Sequence, residues 1–84
     1  MQVETLVRGV FFDKATGKAL ISGTWVVQNK HAIQERRYVF VADDKRQFPA
    51  GLVEESVGFR TQIQLVARDL ARDCGCSELW FRPI

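Results

Sequence analysis

Apolar residues fall at every second position through much of the first half of the chain and at every third or fourth position in the second half. That change of period marks a passage from strands to a helix. Residues 2–12 predict a strand, with Val3, Thr5, Val7, Gly9 and Phe11 on one face and Glu4, Leu6, Arg8, Val10 and Phe12 on the other. Both faces are largely apolar, which suits a central strand, and Gly9 marks a bulge or a close approach by another element. Residues 13–18 are polar, carry Gly17 and predict a hairpin loop. A second strand follows over residues 19–28. Ala19, Ile21, Gly23, Trp25 and Val27 form its core side, and Leu20, Ser22, Thr24, Val26 and Gln28 the other. Asn29-Lys30 offers a two-residue turn. Residues 38–42 are strong β-formers and predict a third strand, whereas 32–37 fit a strand extension, a bulge or a helical turn. Residues 43–51 read as a loop punctuated by Pro49 and Gly51.

The helix is the clearest signal. Phe59, Ile63, Val66, Leu70 and Cys74 recur at steps of four, three, four and four, Ala67 and Ala71 widen the stripe, and Thr61, Gln64, Arg68 and Arg72 lie opposite. Ser56 suits the N-cap, Glu54 and Glu55 place negative charge at the positive helix end, and Gly75 stands where a terminating glycine belongs. Leu65 points away from the stripe and reads as a singly exposed leucine. Residues 78–82 then form a short strand ended by Pro83.

The order β-β-β-α-β predicts an α+β fold: a single domain over residues 1–84, built on one four-stranded mixed sheet in the order 3-2-1-4 with one helix packed on one face. Two hairpins make the first three strands antiparallel. A right-handed crossover through the helix sets the last strand parallel to the first. One helix covers only one face of such a sheet. Alternation assigns Leu6, Val10, Phe12, Leu20 and Val26 to the other face. Burying about 400 Å2 of such surface contributes on the order of 10 kcal/mol before association costs. That is large beside the stability of a small domain.

Composition sharpens this expectation. At 84 residues the chain buries roughly 60–65% of its unfolded surface, so support from a second subunit is expected. With 46% apolar and 26% charged residues it excludes collagen-like, low-complexity and disordered classes. No stretch approaches the roughly 20 apolar residues of a membrane span, and the N-terminal residues lack a targeting pattern. The expectation is a cytoplasmic protein with no membrane partner and reduced thiols.

Candidate chemistry is sparse. Cys74-Gly75-Cys76 offers two thiols where zinc needs four ligands, at a helix C-terminus that disfavours thiolates, so a structural role is expected. His31 lies in a turn beside Lys30 with no nucleophile positioned by any motif. Asp43-Asp44 and Glu54-Glu55 read as loop solvation and helix-end electrostatics. No phosphate-binding glycine loop, zinc-protease motif or nucleophile elbow is present. The chain is expected to be no enzyme and to need no cofactor or metal.

The main reading is therefore a non-enzymatic interaction module that homodimerises, or meets another protein, through Leu6, Val10, Phe12, Leu20 and Val26 or through an edge strand. A rival reading is a nucleic-acid-binding domain using Arg36, Arg37, Tyr38 and Phe40 with Lys45 and Arg46. Residues 1–42 hold six bases and three acids, but the chain's net charge is only +2. Most nucleic-acid modules are far more basic, and an edge strand blunted by charge accounts for the same residues. A third reading, a small-ligand binder, requires a cavity between helix and sheet near Trp25.

Overall fold

The computed structural model describes residues 3–29, 31, 36–50 and 59–84. Its strands are β1 (Val3–Asp13), β2 (Ala19–Gln28), β3 (Arg37–Ala42), β4 (Gln47–Pro49) and β5 (Leu79–Pro83), with one described helix, α1 (Phe59–Cys74), before β5. The strands form a five-stranded sheet in the order β4-β3-β2-β1-β5, antiparallel at every step. β1 lies inside the sheet, between β2 and, over Gly9 to Asp13, β5, where apolar residues on both faces are suited. The β1–β2 loop closes through hydrogen bonds from Gly17 N to Asp13 O and from Asp13 N to Lys18 O, with Gly17 at φ 75°. A side chain there would be strained.

Alternation places Phe11, Trp25 and Phe40 on one face of neighbouring strands, where all three are fully buried. Phe11 meets Phe40 edge-on at 4.8 Å, and Trp25 meets Phe40 at 5.5 Å and Phe59 at 5.3 Å between ring centroids. Such tilted and edge-to-face pairs suit the ring quadrupoles. Helix α1 closes this aromatic layer with Val66, Ala67, Leu70 and Ala71. Truncating a ring such as Phe11 to alanine costs about 3–5 kcal/mol by transfer and cavity formation. The helix ends in a Schellman arrangement: Cys76 N donates to Ala71 O at 2.9 Å, Gly75 N donates to Arg72 O, and Gly75 sits at φ 69°.

The structure corrects the expected topology in one respect with two consequences. Residues 47–49, read as loop, are strand β4, so the sheet has five strands in the order 4-3-2-1-5 and not four in the order 3-2-1-4. The extra strand reverses the chain once more before the helix. The last strand therefore returns antiparallel to β1, and the sheet is not mixed. Pro49 is tolerated because β4 is an edge, where a missing N–H breaks no ladder. The helix stripe is also rotated: Cys74 is exposed, and Gln62 is buried in its place among the core-facing positions. The proposed N-cap Ser56, with Glu54 and Glu55, and most of the segment 32–37 lie outside the described residues.

Candidate interaction surfaces

Two features of β1 and β2 position the uncovered side of the sheet. The β1–β2 register shifts at Leu6 and again at Leu20, each the extra residue of an irregularity. A bulge adds one residue to one strand and reverses the alternation beyond it. Val3 and Thr5, expected on the Phe11 face, consequently lie with Val26 on the face away from the helix. That face carries Val10, Phe12, Thr24, Val26, Val39, Val41 and Trp80, and no described helix lies over it.

The five residues nominated from the sequence fall into two groups there. Val10 and Val26 are each 8% exposed, closed off by their neighbours, and Phe12 is half-buried. Leu6 and Leu20 are open at 41% and 36%, and Val3 and Trp80 join them at 55% and 48%. The alternation that found the face could not find Trp80, because the expected parallel last strand left its register open.

The same face is crossed by charge. Arg8 donates to both oxygens of Asp43 at 2.8 Å, reaching over β2 from β1 to the β3–β4 turn, and Ser22 Oγ donates to Asp43 Oδ2 at 2.8 Å. Hydrogen bonds from Arg8 and Ser22 hold the Asp43 carboxyl at about 2, and the pairing raises Arg8 above its ordinary range. Lys14 Nζ sits 4.3 Å above the Trp80 ring, and the Arg82 guanidinium 5.4 Å from Phe12. Cation–π contact thus covers both aromatics of this corner.

β1 is only partly paired on its outer side. The β1–β5 ladder covers Gly9 to Asp13, and Ile84 N donates to Arg8 O at 2.9 Å. Residues 3–7 have no strand there among the described residues. Because Asp43 N donates to Ser22 O, alternate residues of β2 through Val26 and Gln28 turn their backbone groups to β3. Their β1 partners Val3 and Thr5 therefore turn theirs outward.

The nucleic-acid candidates do not converge. Phe40 is fully buried and offers no face to a base, and one face of the half-buried Tyr38 ring is taken by Phe59 at 5.2 Å. Arg37 is exposed at the start of β3. Arg46 is engaged with Asp44 at 2.7 Å and lies over Phe48, with exposed Lys45 at φ 73° between them. Trp25, the centre of the small-ligand reading, is sealed from solvent, with no hydrogen-bond acceptor for its Nε1 among the described residues. The open groove nearest it runs between α1 and β5 and is lined by Phe59 and Phe81, whose rings touch Trp25. Cys76 is half-buried, and burial, then the charges of Asp13 and Cys74, push its thiol up, against a nucleophilic role. No group of three metal-ligating side chains occurs among the described residues, and no described helix is long and apolar enough to cross a membrane.

No family model matches the sequence, no curated protein is similar to it, and no solved structure matches the chain.

Proposed function

We propose that the protein is a small non-catalytic interaction module that forms a homodimer through the open outer edge of β1. The observation that carries this reading is the bay left where the β1–β5 ladder stops at Gly9: residues 3–7 have no strand on their outer side among the described residues, and Val3 and Leu6 stand 55% and 41% exposed. Outward amides and carbonyls on a strand edge are a template for pairing with another chain. An antiparallel pairing of two copies about Thr5 satisfies those groups and joins two five-stranded sheets into one. The contact is isologous, so it closes at two copies.

The edge is favoured over the middle of the uncovered face because Val10 and Val26 offer little surface and the Arg8–Asp43 bridge lies across it. Amide hydrogen exchange at Val3 and Thr5 tests the reading. Protection that rises with protein concentration is expected; exchange at the rate of an open edge at every concentration contradicts it.

A further inference from the structure

We infer that the groove between α1 and β5 is a docking site for an extended acidic peptide segment of another protein, which adds as a sixth strand to the outer edge of β5. The groove is open and encloses about 1010 Å3. Its floor is apolar, with Ile63 and Ala67 from the helix and Phe81 from the strand. β5 is the terminal strand of the sheet, so its outer side has no strand neighbour among the described residues. Lys14 N donates to Glu78 O and Ile84 N to Arg8 O, which fixes the alternation along β5. Glu78, Trp80, Arg82 and Ile84 turn their backbone groups to β1, and Leu79 and Phe81 turn theirs outward.

A strand laid along that edge hydrogen-bonds to Leu79 and Phe81 and sends every second side chain onto the groove floor. Pro83, whose missing N–H falls on the outer side, ends the template at the other end.

Charge selects the occupant. Arg60 and Arg68 line the helix wall, and neither is paired with an acid among the described residues. The one acid of the lining, Glu78, is already engaged: it accepts from Trp80 Nε1 at 2.7 Å and lies 3.7 Å from Lys14 Nζ. A trough with apolar side chains on its floor, beside a strand edge without a strand neighbour and with guanidinium groups on its wall that have no acid partner among the described residues, fits a segment that alternates apolar and carboxylate side chains.

The test uses the full chain and a fluorescein-labelled nine-residue peptide alternating valine and glutamate, read by polarisation. Saturable binding is expected, with loss of at least tenfold in affinity for Arg60→Glu/Arg68→Glu, for a peptide with lysine in place of glutamate, and for one interrupted by a central proline. Both arginines are exposed, so the double variant keeps its fold, checked by its circular dichroism. A variant carrying Leu6→Lys retains the binding, because the β5 groove is separate from the β1 bay. Equal affinity for the glutamate and lysine peptides, indifference to the arginine changes, or preference for a single-stranded oligonucleotide overturns the proposal.

Discussion

Gly9 and Gly23 stand directly opposite each other across the β1–β2 ladder, and the space left by their missing side chains is filled by the rings of Phe81 and Phe40. A β-carbon on Gly9 would strike Phe81 and the Arg82 carbonyl; one on Gly23 would strike Phe40, the Val41 carbonyl and the Ala42 Cα. The glycine pair is a notch in the sheet that lets the outer edges of two aromatic rings approach the backbone.

Alanine at either glycine is expected to destabilise the fold by about 3 kcal/mol, because backbone atoms cannot move aside as a flexible side chain can. In a domain of this size that lowers Tm by about 12–20 °C. Thermal melts of Gly9→Ala and Gly23→Ala check this. Melting temperatures within a few degrees of the parent would show that the two rings do not occupy the notch.

The Arg8–Asp43–Ser22 network makes acid stability specific to one carboxyl. Asp43 is lowered from 3.8 to about 2, so its contribution is complete above the unfolded value and is lost as pH falls through the folded one. Asp43→Asn is expected to remove that part of the acid limb while leaving the higher-pH stability nearly flat. The group is exposed, which keeps the effect small and sensitive to salt. An NMR titration that finds Asp43 at an ordinary carboxylate value would show the bridge open in solution.

Gln62 is 1% exposed on the core side of α1, and its Oε1 has no hydrogen-bond donor among the described residues. A buried acceptor without a donor costs about 1–3 kcal/mol. Gln62→Met keeps the length of the side chain and removes the unpaired oxygen, so unfolding in urea is expected to show unchanged or increased stability. Substituting the neighbouring buried Val66 by alanine is expected to cost about 2 kcal/mol or more. A large loss from Gln62→Met would mean that its amide has a structural partner.

The two thiols are expected to separate kinetically. Cys74 is exposed, while Cys76 is half-buried with its thiol pushed up by burial. Iodoacetamide at mildly alkaline pH is expected to label Cys74 first, with equal rates restored in denaturant. Faster labelling of Cys76 in the folded protein would contradict its place against Ala71.

Much of this fold was legible because its signals are periodic. Alternation located β1, β2 and β3, steps of three and four located α1, and Gly75 marked the helix end through the conformation that glycine alone adopts cheaply. β4 was hidden because three residues are too short for a period and Pro49 reads as a breaker everywhere except on an edge. Missing it reversed the expected direction of the last strand. The bulge at Leu6 was equally silent, and it carries Val3 and Thr5 to the other face. Of the proposed interaction surface, alternation nominates Leu6 and Leu20, which are exposed at 41% and 36%. Trp80 and the open outer side of β1 depend on where β5 stops; Arg68 reads from the sequence as part of the polar helix side and Arg60 gives no signal there, and only the groove between α1 and β5 brings the two onto one wall.

Solution mass by light scattering across a concentration series decides whether two copies of the chain pair through the open side of β1. The mass is expected to climb from 9.6 kDa toward twice that value as concentration rises, and to stay at 9.6 kDa for Leu6→Lys and Val3→Lys. A parent chain that remains at 9.6 kDa up to about 0.5 mM, where even weak pairing would populate a dimer, contradicts it.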